Sequence, residues 1–199
     1  LTFSRDVLDD FSDLSGISAD AVVSCNEQSF REAILFTHRG LSGPAVLQIS
    51  NYWQQGYEVV INLLPDIDLT KTIKQWQKDR PKTELKNLIG ELLTKRVAHR
   101  WLELWYHNKP VNQYNEKEIN EVAMIFHAWR INPSDTEGYR VAEVTRGGVD
   151  TNELSSKTFE ARKMKGLYFI GEVVDVTGWL GGYNLQWAWS SGFSAGQFV

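Results

Sequence analysis

Three textures of apolar and polar positions succeed one another along the chain. Over residues 1 to about 65, short β-prone runs dominate, at 21–24, 33–38 and 57–64, the last closed by Pro65 and Asp66. Between the second and third runs, Ser42 is placed to cap a short helix carrying Pro44 in its first turn. From about 66 to 125 the period becomes helical. Residues 71–79 put Ile73 and Trp76 on one face, and Pro81 ends that stretch. A stronger helix starts at Thr83, with Leu85, Leu88, Ile89, Leu92 and Leu93 in register and Glu84 in the electropositive first turn. Residues 97–106 continue as a further helix, and 116–125 follow with Asn115 as N-cap. The aromatic residues here read as packing between helices. Alternation then returns at 126–131 and 139–145 around the turn chemistry of 132–138, which predicts a β-hairpin.

The pattern predicts an α+β protein. A β-barrel or sandwich-like domain would come from 1–65 and 126–160, with a compact helical insert at 66–125. Residues 161–199 would form a separate C-terminal strand–loop–helix.

Composition narrows the function. Apolar residues make up 42 % of the 199 positions, enough for a sizeable core, and 23 % are charged. The net charge of −4 and the lack of a dense basic run argue against a nucleic acid or membrane surface as partner. The N-terminus shows neither a leader pattern nor an initiator Met, so the chain reads as cut from something longer. A lone cysteine, Cys25, excludes an internal disulfide framework and fits a reducing cytoplasm. The four histidines are scattered without metal-ligand spacing, so no metal site is expected.

The chemistry concentrates in the tail. Residues 167–170 (Leu-Tyr-Phe-Ile) read as a fully buried strand ending at Gly171, followed by Glu172 and Asp175. Gly178, Gly181 and Gly182 form a loop, and a helix from Asn184 carries small residues at close-packing spacing. Strand, glycine loop and helix N-terminus offer amides and a dipole to an electron-rich group, and a strand-end carboxylate suits a ribose or ribityl hydroxyl. This is not the Gly-x-Gly-x-x-Gly fingerprint, and it has no phosphate-loop Lys.

The tail reads Gly-Leu-Tyr-Phe-x-Gly-Glu-x-x-Asp-x-x-Gly-x-x-Gly-Gly-Tyr-Asn-Leu-Gln-x-Ala-Trp-x-Ser-Gly. It closely resembles the C-terminus of the BaiN-type (YhiN-like) FAD-dependent oxidoreductases, a bacterial flavoprotein family. Two more segments are similar to the same family, in the same order: residues 35–45 (Leu-Phe-Thr-His-Arg-Gly-Leu-Ser-Gly-Pro-Ala) and 142–149 (Ala-Glu-Val-Thr-Arg-Gly-Gly-Val). Residues 158–160 read Thr-Phe-Glu where the family usually has Thr-Met-Glu-Ser. The resemblance implies an FAD domain split in sequence, which 161–199 would complete. The N-terminal half with its phosphate loop would be absent here, and the chain alone would be inactive and hold FAD weakly or not at all.

By the same resemblance, Gly171, Glu172 and Asp175 match the acidic segment near the FAD ribityl and phosphate region. Gly181, Gly182, Tyr183, Asn184 and Leu185 match the helix start facing the flavin pyrimidine edge. Thr145, Gly147 and Gly148 match a turn near the isoalloxazine ring, and His38 lies on a loop that could line the substrate side. The implied activity is hydride transfer between NAD(P)H, FAD and a small-molecule substrate, with no nucleic acid or membrane partner and no catalytic side chain identified. A rival reading is a non-enzymatic interaction module that binds through the helical insert. Its cations (Lys82, Lys86, Lys95, Arg96, Arg100) interleave with Glu84, Glu91 and Glu103, which fits a solvated helix face.

Overall fold

The structure, a computed structural model, describes all 199 residues and divides into two compact units, Leu1–Thr136 and Glu137–Val199.

The first unit is built on a five-stranded antiparallel sheet. Its strands are β1 (Ser18–Cys25), β2 (Gln28–Thr37), β3 (Gly40–Ser42), β4 (Val59–Asn62) and β5 (Trp129–Ile131), ordered β3-β2-β1-β4-β5. In β1 the inward positions Ala21, Val23 and Cys25 alternate with more exposed ones, the period expected of a half-buried strand. Residues 1–3 stitch both ends of the sheet together. The Phe3 amide donates to Arg39 O and the Leu41 amide to Leu1 O, beside β3. The Thr2 amide donates to Asp135 O at 2.8 Å, just after β5. Both edges thus find partners, and the sheet curls toward a barrel.

Helices cover this sheet and share its core. They are α1 (Arg5–Phe11), α2 (Pro44–Ser50), α3 (Leu69–Asp79), α4 (Leu85–Ile89), α5 (Lys95–Trp105) and α6 (Glu116–His127). Local chemistry sets several boundaries. Asp68 caps α3 by accepting from the Lys71 amide, and Asn115 and Glu118 close a reciprocal capping box on α6. Ile73, Leu85, Leu88, Trp101 and Phe126 are fully buried and join Val23, Ile34 and Ile61 of the sheet in one cluster. No helix is long and apolar enough to cross a membrane.

The α+β class holds, but four local expectations are corrected. The helix expected from Thr83 stops at Ile89, with Gly90 at its C-cap, and Leu92 and Leu93 pack beyond it. Ser42 ends β3 and caps nothing; Gly43 is the N-cap of α2, because any side chain there would strike the backbone of β2. The hairpin after 126 does not form. Phe126 and His127 close α6, whose buried stripe (Ile119, Val122, Ala123, Phe126) has helical spacing, and β5 pairs with β4 instead. Residues 139–148 hold no strand, and Tyr139 and Val141 are exposed.

The second unit has one regular helix, α7 (Tyr183–Ala195), two short 3-10 turns and single bridges at Val149–Val174, Leu154–Ala161 and Glu160–Tyr168. Residues 167–170 are the fourth correction. Only Tyr168 bridges, and Leu167 and Ile170 are exposed. A run that is apolar on both faces needs strands on both sides, and this run finds a single bridge.

Candidate functional site

In the second unit the glycine-bearing segments converge on α7. The Gly147 amide donates to Asp175 Oδ1 at 3.0 Å. Two residues on, Val149 and residues 173–175 exchange backbone bonds of 2.8 and 3.0 Å. The close pairing requires Gly148, where a Cβ would lie 2.4 Å from Val173 O at a φ of +141°. Asp175 is therefore the residue that fixes the turn at 147.

Gly171 is buried under α7. Its amide donates to Ser191 Oγ at 2.9 Å and its carbonyl accepts from Trp187 Nε1 at 3.0 Å. A positive φ of 70° lets Gly171 turn there, close to Ala188. Ser191 and Trp187 carry this junction although neither was singled out from sequence. Ser191 reads there as one more small packing residue, and its spacing from Ala188 and Ala195 is the only signal. Glu172, next along, is exposed, and its carboxylate makes no hydrogen bond or ion pair.

The start of α7 is shaped by Asn184. Its side chain accepts from the Gly178 amide at 2.7 Å and donates to Gly178 O at 3.0 Å, closing the loop over 178–184. Gly182 sits at the N-cap in the left-handed region (φ 86°), and no side chain caps the helix. The first-turn amides of Tyr183, Asn184 and Leu185 have no acceptor in the helix itself. A Cβ on Gly182 would meet nothing within 4 Å, so backbone can be approached there. The start of α7 thus offers uncapped amides and the positive end of a 13-residue helix, while the unengaged Glu172 carboxylate follows Gly171, which packs against the middle of that helix.

Thr145 and Leu185 are exposed, and Gly181 is held close to the Tyr183 ring. His38 belongs to the first unit, exposed on the β2–β3 turn, where the Thr37 hydroxyl accepts from the Arg39 and Gly40 amides. That unit also holds an open cleft of about 430 Å³ lined in part by Asp20, Asp66, Glu91 and Thr94. Its carboxylates are engaged internally, Asp20 and Asp66 by Arg31 and Glu91 by Arg80. No three His, Cys, Asp or Glu side chains are grouped to hold a metal ion.

Residues 1–144 match the family model described as HI0933-like protein barrel and H2TH domain. The chain belongs to this family. The curled sheet of the first unit and its helices fit the barrel and H2TH description.

Relatives of the HI0933-like chain carry enzyme names. It is 51 % identical over 198 residues to the ribosomal RNA dihydrouridine synthase of Escherichia coli (strain K12), covering 98 % of this chain and 50 % of that protein. It is 48 % identical over 184 residues to the protein of the same name from Haemophilus influenzae, covering 91 % and 46 %. A more distant relative is the 3-dehydro-bile acid delta(4,6)-reductase of Clostridium scindens, 32 % identical over 203 residues and covering 94 % and 50 %. The chain spans about half the length of these relatives.

Two functional expectations are thereby corrected. Hydride transfer to a small organic substrate, with a non-enzymatic interaction module as rival, gives way to relatives named for acting on ribosomal RNA. The exclusion of nucleic acid as partner falls with it. The physical error lies in net charge, a whole-chain sum that says little about where cations gather.

Proposed function

We propose that the protein carrying this chain reduces uridine in ribosomal RNA to dihydrouridine, using FAD bound in part by residues 161–199. The observation that carries this reading is 51 % identity across 98 % of the chain to a ribosomal RNA dihydrouridine synthase. Saturating the uracil C5=C6 bond takes two electrons and two protons, as a hydride to one carbon and a proton to the other. The flavin, when bound, supplies the hydride, and a reduced nicotinamide replaces its electrons.

The corner around α7 fits a flavin. In this reading the first-turn amides of Tyr183, Asn184 and Leu185 donate to the electron-rich pyrimidine edge, and the helix dipole favours negative charge there. Gly181 and Gly182 let backbone approach the ring system. The unengaged Glu172 carboxylate accepts from a ribityl or ribose hydroxyl, and Gly171 sets its position. Asp175 holds the Thr145–Gly147–Gly148 turn beside the ring. His38 is assigned to the substrate side. The curled sheet and helices of residues 1–136 serve the RNA.

The test is nucleoside analysis. Ribosomal RNA from cells lacking the gene is digested, and dihydrouridine is quantified by mass spectrometry. A fall in the dihydrouridine content of ribosomal RNA, restored by a plasmid copy, is expected. An undiminished dihydrouridine content in the deletion strain overturns the reading.

A further inference from the structure

We infer that the connection between α4 and α5, together with the last turn of α3, is the face on which the RNA phosphate backbone docks. The inference rests on the reading that the protein acts on ribosomal RNA. Residues 78–96 hold six cations against three carboxylates, in a chain whose net charge is −4. All three carboxylates are already engaged: Asp79 accepts from Gln75 at 2.8 Å, Glu84 pairs with Lys86 at 3.3 Å and Glu91 pairs with Arg80. Four exposed cations, Lys78, Lys82, Lys95 and Arg96, form no ion pair.

The same arrangement is absent from other helical surfaces of this unit. Lys71, Lys74, Arg100 and Lys117 on helices, and Lys109 in the loop after α5, each pair with a carboxylate, and α1 has a single unpaired cation, Arg5. In this unit only residues 78–96 gather several unpaired cations in one short stretch.

The two segments that carry the four cations are tied to each other. The Arg80–Glu91 pair ties the end of α3 to the α4–α5 connection. The Thr83 amide donates to Arg80 O at 3.0 Å, turning Lys82 back toward it. Lys95 lies against Gly90, where a Cβ would meet both Lys95 Cγ and Lys86 O at 3.1 Å.

Lys95 and Arg96 also stand where folding alone would not put them. They occupy the first turn of α5, which has no acidic residue and no side-chain cap. Cations there oppose the helix dipole, whereas α6 follows the rule with Glu116 and Glu118 in its first turn. No large apolar side chain is exposed between residues 78 and 96. A surface of unpaired cations without an apolar anchor suits phosphates and gives no base readout.

The test uses the full protein and protein-free 16S and 23S ribosomal RNA from Escherichia coli in filter binding, over roughly 50–200 mM salt. Lys95→Glu/Arg96→Glu is expected to weaken binding by about tenfold or more and to reduce the salt slope by about two. Its Tm should stay close to that of the wild type, because the gain from glutamates in a first turn is offset by the lost attraction between Lys95 and Glu91. The control pair Lys71→Glu/Lys117→Glu makes the same charge change and should bind within about twofold of the wild type. No measurable binding by the wild type, unchanged binding by the patch variant, or an equal loss in the control pair overturns the docking face. Wild-type protein that binds ribosomal RNA but restores no dihydrouridine sinks the enzymatic reading alone.

Discussion

The indole of Trp101 in α5 stands edge-on to that of Trp129 in β5, with ring centroids 4.8 Å apart at 79°. Phe36 of β2, Phe11 of α1 and Trp105 of α5 join the cluster at 5.9, 5.3 and 5.2 Å from Trp101. The Trp101 Nε1 donates to Ile125 O at 3.2 Å, so the ring is also tied to α6. Trp101→Ala should cost about 3–5 kcal/mol of stability. Because helices and sheet share this cluster, far-UV circular dichroism and tryptophan fluorescence should report one coincident transition for residues 1–136. Separate transitions would show that the helices and the sheet fold independently.

What could be read from sequence follows the range of each interaction. The α6 capping box is legible because Asn115 and Glu118 lie three residues apart and meet wherever a helix starts. β5 is not legible in the same way, because its partner Val59–Asn62 lies about seventy residues earlier in the chain and only the finished sheet offers that edge. Gly43 is hidden behind Ser42, a better cap by chemistry, because the reason for glycine is the backbone of β2 alongside. In the tail the glycine loop announces itself, but the junction of Ser191 with Gly171 depends on a contact across twenty residues. The cations of 78–96 are visible in sequence but read there as balanced by the interleaved Glu84 and Glu91, until the ion pairs show that these carboxylates pair only with Lys86 and Arg80.

His127 should give the first unit a pH dependence. Burial pushes its imidazole below the ordinary value of 6.5, partly offset by Asp68. The Leu69 amide donates to Nε2 at 3.3 Å, and Nδ1 lies 3.1 Å from Asn62 Oδ1, which already accepts from the Leu64 amide. These partners require the neutral ring with its proton on Nδ1. Below pH 6.5 the unfolded chain takes up a proton that the folded one resists, so stability is full above that value and declines as pH falls. Denaturant midpoints at about pH 7.5 and 5.5 should differ for the wild type and differ less for His127→Gln. Equal slopes in the two proteins would remove His127 as the cause.

Gly43 and Gly56 separate strain from collision. Both have positive φ, 94° and 91°, but a Cβ on Gly43 would lie 2.7 Å from Ala33 O, while one on Gly56 meets nothing within 4 Å. Gly56→Ala should cost about 1–2 kcal/mol, the penalty of the left-handed backbone. Gly43→Ala adds displacement of β2 and should cost clearly more, above about 3 kcal/mol. Comparable losses in urea titrations of the two variants would mean that the β2–α2 contact yields easily.

Ser191 is buried, and its hydroxyl both accepts from the Gly171 amide and reaches Trp187 O at 2.8 Å. Ser191→Ala leaves a buried amide without a partner, at a cost of about 1–3 kcal/mol. Amide hydrogen exchange at Gly171 should accelerate accordingly, and exchange at the wild-type rate would show that the bond is not formed in solution.

Gly182 offers the sharpest test of the flavin corner. An aspartate there would put a carboxylate beside the first-turn amides of α7, where no side chain now caps them. The left-handed φ of 86° costs about 1–2 kcal/mol for a non-glycine residue, a favourable dipole returns about 0.3–1 kcal/mol, and a Cβ would meet nothing within 4 Å. The net loss of stability should therefore be small, and Gly182→Asn shares its backbone part. The added negative charge, however, stands where the flavin's electron-rich edge is proposed to sit, so the full-length protein with Gly182→Asp should purify with much less bound flavin than the full-length wild type. Gly182→Asn, which tolerates the same backbone without the charge, should retain more. Equal flavin absorbance in the wild type and the aspartate variant, at matched stability, would take the α7 N-terminus out of the cofactor site.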